Sequence, residues 1–151
     1  MITDNSVSSA EVTINAPAEL VWSVLLDFAS YSKWNTFCPQ ITGEARLGAA
    51  LTMQVDLGNG LQQQVESITR LEPFHTIVWS MENKPGDPIH ADRIQRIVPI
   101  DDTSCRYWSI DEFSGEAMKP MIEMMGPAVE EGFNRCAQGL KARAEDLFSN
   151  S

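Results

Sequence analysis

The chain has 151 residues, the length of one domain with a single sizeable core, and carries a formal net charge of −10 from 21 acidic and 11 basic side chains. That acidity argues against nucleic acid or an anionic bilayer as partner, since both are recognised through a cationic footprint. The three cysteines, Cys38, Cys105 and Cys136, are too few and too scattered for a disulfide framework or a zinc knuckle. With no run of about 18 apolar residues and no secretory pattern at the start, the expectation is a cytoplasmic protein with reduced thiols and no integral membrane association.

Residues 1–8 read as a flexible N-terminus and 9–149 as a single domain, because no repeat, low-complexity tract or linker-like shift interrupts the rest. "SAEVTINAP" alternates through Val12 and Ile14, a strand pattern, until Pro17 stops it where proline suits the first turn of a helix. In the helix that follows, Glu19, Ser23 and Asp27 share one wet stripe, while Val21, Trp22, Leu25 and Phe28 fill the opposite face. Tyr31, Trp34 and Phe37 then recur at three-residue spacing among turn-forming residues, which predicts a second short helix or helical turn.

From Ile41 to Phe113 the period becomes two. Leu51, Met53, Val55 and Leu57 alternate with Thr52, Gln54 and Asp56 ahead of a Gly58-Asn59-Gly60 hairpin turn. "FHTIVWSMEN" gives another strand before the loop "KPGDP", and "HADRIQRIVPIDDTSCRYWSIDEFSG" gives two more joined at Asp101-Asp102-Thr103. About six consecutive strands result. Beyond Gly115, Met118, Met121, Ile122, Met125, Val129, Phe133, Cys136, Leu140, Ala144 and Leu147 recur at threes and fours, predicting a long amphipathic helix. Pro127 lacks a donor and clashes with the preceding turn, so a kink or restart is expected there.

No catalytic or metal motif stands out. His75 follows a turn and His90 follows a loop, so both read as solvated loop or strand-end residues, and two distant histidines without a thiolate at ligand spacing compose no metal site. No cofactor is expected. "LGNGLQ" lacks the strand-loop-helix context of a nucleotide site, and no nucleophile elbow occurs.

Taken together, "VTINAPAELVWSVLLDFASYSKWNTF", "RLEPFHTIVW", "RIVPIDDTSCRYWSIDEFSG" and the terminal helix resemble the polyketide cyclase/dehydratase-type branch of the START and birch-pollen-allergen-like (SRPBCC) superfamily. The resemblance spans nearly the whole chain. It implies an α+β helix-grip fold, in which a curved antiparallel sheet of about seven strands wraps a long C-terminal helix, with two short helices after the first strand and an apolar cavity between sheet and helix.

By the family's strand pattern, Arg93, Gln95 and Ile97 face inward on one strand and Cys105, Tyr107, Ser109, Asp111 and Phe113 on the next. The opposite phase would bury Asp92, Ile94, Arg96 and Val98 with Trp108, Ile110 and Glu112. In the first phase Arg93 and Asp111 are the first buried pair to expect, either as an ion pair fixing register or as the polar pole of a ligand site. Trp22 and Phe28 read as core. Trp34, Phe37, Trp79, Arg93, Gln95, Tyr107, Asp111, Phe113, Met121 and Met125 are the candidate ligand-binding residues. Three functions then stand: binding or carrying a hydrophobic small molecule (lipid, aromatic or polyketide-like), cyclase or dehydratase chemistry in the same cavity, or an interaction protein like the superfamily's chaperone activators. An open cavity favours the first two and a filled interior the third. The sequence favours neither monomer nor dimer.

Overall fold

In the computed structural model, which describes residues 1–151, the chain opens with two short strands, β1 (Ser6–Ser8) and β2 (Val12–Ile14). Helix α1 (Ala18–Leu26) follows, started by Pro17, whose carbonyl accepts the amides of Leu20 and Val21. A 3₁₀ helix spans Phe28–Lys33 and is pinned to the end of α1 by the Tyr31 hydroxyl, which donates to the Leu25 carbonyl at 2.6 Å. Six strands come next: β3 (Gln40–Thr42), β4 (Ala50–Asp56), β5 (Leu61–Glu72), β6 (Thr76–Met81), β7 (His90–Asp101) and β8 (Ser104–Ser114). Helix α2 (Met118–Ser149) closes the chain.

Every strand pairing is antiparallel, in the order β1-β8-β7-β6-β5-β4-β3, with β2 also on β8. A β-bulge between Ile68 and Arg70 and another between Pro99 and Asp101 add local twist and bend to the long strands. α2 spans 32 residues, about 48 Å at helical rise. It buries Ile122, Val129, Phe133, Cys136, Ala137, Leu140 and Ala144 along one stripe against the sheet and α1. This is the helix-grip architecture.

Two expectations are corrected. The N-terminus is not loose throughout: Ser6–Ser8 pairs with Ile110–Glu112 of β8, and Val7 is fully buried. A short strand flanked by serines carries too little alternation to be read from sequence, and it is the unpaired edge of β8 that recruits it. Nor does the terminal helix restart at Pro127, which lies inside a continuous helix. Proline removes one helical hydrogen bond, yet the helix runs on through it, with Ile2 of the N-terminal hairpin beside the neighbouring Gly126.

Candidate functional site

β7 alternates strictly, with Ala91, Arg93, Gln95 and Ile97 buried and Asp92, Ile94, Arg96 and Val98 half-buried on the outer face. Register carries this phase to β8, where Arg93 lies opposite Asp111, Gln95 opposite Ser109 and Ile97 opposite Tyr107. It also crosses the β4–β5 hairpin. Because Leu51 and Met53 face the core, their partners Glu66 and Gln64 face the same way.

These strands, the segment after the 3₁₀ helix and α2 converge on a cavity of about 30 Å³, lined by Phe37, Cys38, Met53, Val55, Gln64, Glu66, Arg93, Asp111 and Phe133. At roughly 10–15 Å³ per probe-sized water this holds about two waters. The interior is therefore nearly filled.

Arg93 dominates the cavity. Its guanidinium carbon lies 4.3 Å from the centre of the Phe133 ring, 5.5 Å from that of Trp79 and 5.6 Å from that of Phe37. Its Nη2 donates weakly to Ser109 Oγ at 3.4 Å and Cys136 Sγ at 3.6 Å, and its buried Nε has no acceptor. The expected ion pair with Asp111 does not close: the two residues are cross-strand neighbours, but no carboxylate reaches the guanidinium. Aromatic faces, through their negative quadrupole, replace a counter-ion here. Arginine keeps its proton regardless.

Glu66 and Asp111 are the other charged groups of the lining. Burial raises the Glu66 carboxyl to about 8, with the Asp111 charge adding to the rise and Arg93 opposing it. Burial raises Asp111 to about 7 against the pull of Arg93. Cys38 is also raised by burial, to about 12, so its thiol stays protonated and unreactive at neutral pH.

A stability trend follows. In the unfolded chain these carboxyls release their protons near pH 4, but the folded chain holds them to about 7 and 8. The folded state thus binds more protons across that window, so stability falls as pH rises from 4 to 8. Urea unfolding at pH 5, 6, 7 and 8 is expected to show that decline, and a Glu66→Gln, Asp111→Asn double variant to flatten it. An equal slope in the variant would assign the trend to the net charge of the chain.

Of the residues singled out from sequence, Phe37, Arg93 and Asp111 come together in the cavity lining. Trp79 is fully buried, stacked near Arg93 and edge-on to Phe28. Gln95 and Tyr107 lie deeper and pair with each other, the hydroxyl donating to Gln95 Oε1 at 2.7 Å. Trp34 does not reach the cavity; it packs against α2 at Gly139 and Tyr31. Phe113, Met121 and Met125 are half-buried and outside the lining. Neither histidine enters: His75 is exposed, and His90 engages Asn83 and Asp92 at the start of β7. Trp22 and Phe28 are core. Sequence reasoning missed Cys38, Met53, Val55, Gln64, Glu66 and Phe133 as lining residues, although it places Met53 and Val55 on the inner face of their strand and Phe133 on the apolar stripe of the helix. For Glu66 and Gln64 the signal was present, since the turn at Gly58 to Gly60 folds them opposite Met53 and Leu51.

The segment Trp34 to Cys38 is held tightly. Asn35 Oδ1 accepts the amides of Phe37 and Cys38 at 3.1 and 2.8 Å, and Arg135 on α2 donates to the carbonyls of Thr36 at 3.2 Å and Asp56 at 3.0 Å. Gly132 and Gly139, two helical turns apart, let this strap lie directly on α2. Phe37 is thereby fixed edge-on to Phe133, with ring centres 5.5 Å apart, as one wall of the cavity.

No helix is long and apolar enough to cross a membrane. Comparison with solved structures finds the same fold in a START superfamily protein from Mycobacterium smegmatis, with TM-score 0.76 and 21% identity over 95% of this chain and 99% of that one. The Zhui aromatase/cyclase from Streptomyces is also similar, with TM-score 0.74 and 19% identity over 93% of each chain. No curated protein matches. Residues 7–145 match the family described as polyketide cyclase/dehydrase and lipid transport, and the chain belongs to that family.

Proposed function

We propose that this protein binds a small hydrophobic or aromatic molecule bearing an oxygen acceptor, between sheet and α2, with Arg93 holding the acceptor. The supporting observation is Arg93 itself: a buried guanidinium with an unpartnered Nε and no carboxylate in contact. Burying an ion without a counter-ion costs several kcal/mol, which the three aromatic faces offset only in part, so an apolar residue of similar volume would be at least as stable there. A ligand oxygen supplies what the site lacks. Because the cavity holds about two waters, volume alone favours the interaction reading. The apolar body of a ligand enters only if the strap lifts from α2 and Phe37 leaves Phe133, which weighs against a bulky lipid as the natural cargo.

Cyclase or dehydratase chemistry is the second reading, favoured by two carboxyl groups that titrate near neutrality beside a fixed cation. In a dehydration, ionised Asp111 would take the proton from the carbon next to a carbonyl. Arg93 would stabilise the enolate oxygen, and protonated Glu66 would give its proton to the departing hydroxyl, so that water leaves and a carbon–carbon double bond forms.

Native mass spectrometry with denaturing extraction, beside titration of the neutral probe N-phenyl-1-naphthylamine, tests the binding reading. One equivalent of a co-purifying compound or of probe is expected. A well-folded protein that takes up neither would overturn it and move the search to partner proteins.

A further inference from the structure

The lining of the cavity has an unusual donor balance. Its charged groups are one guanidinium and two carboxyls, contributed by three different strands: Arg93 on β7, Glu66 on β5 and Asp111 on β8. The remaining polar group on that lining with a strong donor is the amide of Gln64. The other titratable groups that act on these three are Tyr31 on the 3₁₀ helix, Cys38 on the strap, Cys136 on α2, Tyr107 on β8 and, from the outer face of β7, Asp92. None of these is cationic, so Arg93 is the sole positive charge in the cluster.

The two carboxyls sit beside Arg93 without closing on it, and the vacant volume next to them is about 30 Å³. That is room for about two water-sized oxygens, the size of a carboxylate head. Arginine is the side chain best matched to such a head, through paired N–H donors. A carboxylate placed there would be repelled by ionised Glu66 and Asp111, whereas protonated carboxyl groups would each present an O–H donor to it. Resting on the binding reading above, we infer that the ligand of this cavity is an organic acid, bound as its carboxylate anion on Arg93 together with a proton taken up by the Asp111–Glu66 pair.

The raised carboxyls make this uptake accessible near neutral pH. Asp111, at about 7, is partly ionised in the empty protein and becomes protonated as the anion enters, and Glu66, at about 8, contributes above that range.

The test compares 2-naphthoate with its neutral isostere naphthalene-2-carboxamide by titration calorimetry at pH 6 to 9, in buffers of different ionisation enthalpy. Naphthoate binding is expected to take up close to one proton at pH 7.5, to weaken by about tenfold between pH 7 and 8, and to weaken more steeply above 8 as Glu66 also ionises. The carboxamide is expected to bind with no proton uptake and no pH slope. Asp111→Asn, which keeps a donor but cannot titrate, should bind naphthoate with the slope between pH 7 and 8 reduced. Naphthoate binding without proton uptake, or carboxamide binding with the same slope, would overturn the inference and leave the binding reading intact. Failure of both probes to bind at every pH would overturn both.

Discussion

Arg93→Met is expected to leave the protein folded, with stability unchanged or raised by about 1–4 kcal/mol, while weakening ligand uptake by at least tenfold. The stability half rests on the desolvation of an ion that no carboxylate meets: removing a buried charge and filling its place with an apolar side chain of similar reach is neutral or favourable where pairing is poor. Methionine also retains contact with Phe133, Trp79 and Phe37 through its flexible thioether. Binding falls because the acceptor of the ligand loses its only cation. Since Arg93 lowers both carboxyls, its removal pushes Glu66 and Asp111 further up, and any binding left should lose its pH dependence around neutrality. Arg93→Lys makes the complementary point. It keeps the charge but not the flat stacking surface, so it should cost stability and restore part of the binding. Chemical denaturation with a binding isotherm reads both effects. An Arg93→Met protein destabilised by several kcal/mol would make the guanidinium a structural element and remove the argument that it is retained for a ligand.

The fold was legible because its signals are local and repeated. Period-two alternation marked β4 and β6 to β8, Pro17 marked the start of α1, and threes and fours marked α2. What escaped was decided by partners distant in sequence. Ser6–Ser8 becomes a strand only because β8 offers an edge. Pro127 lies inside a continuous helix although a sequence scan counts its missing donor as a break. The site divides the same way. Arg93 and Asp111 were found from strand phase, but whether they touch depends on side-chain reach, and they do not. Trp34 carries the same aromatic spacing as Phe37 yet packs at Gly139, two turns along α2 from the cavity, because the strap turns at Asn35. Glu66 was hidden in "LQQQVESI", a polar run with little apparent alternation, and only pairing with Leu51 shows that it faces inward.

Gly139→Ala and Gly126→Ala should move stability in opposite directions although both put alanine into the same helix. Alanine is favoured over glycine in a helix interior by about 1 kcal/mol, so propensity alone predicts a gain at each site. At Gly126 a Cβ would meet Ile122 Cγ2 at 3.4 Å and Ile2 Cδ1 at 3.5 Å, which is ordinary contact, and the gain should survive. At Gly139 the added carbon would lie 2.2 Å from the carbonyl oxygen of Trp34. That atom is backbone and cannot rotate aside, so the strap must lift from α2. Such overpacking costs about 1–3 kcal/mol, enough to reverse the propensity gain. Lifting the strap also loosens the Arg135 bonds to Thr36 and Asp56 and releases Phe37 from Phe133, so the cavity wall opens from a position that does not line it. Urea midpoints and N-phenyl-1-naphthylamine titration on the two variants test this together. Gly139→Ala should lower the midpoint and alter probe affinity, while Gly126→Ala raises the midpoint and leaves probe affinity alone. If both raise it equally, the strap does not bear on α2 as described, and Phe37 is not held as a wall of the cavity.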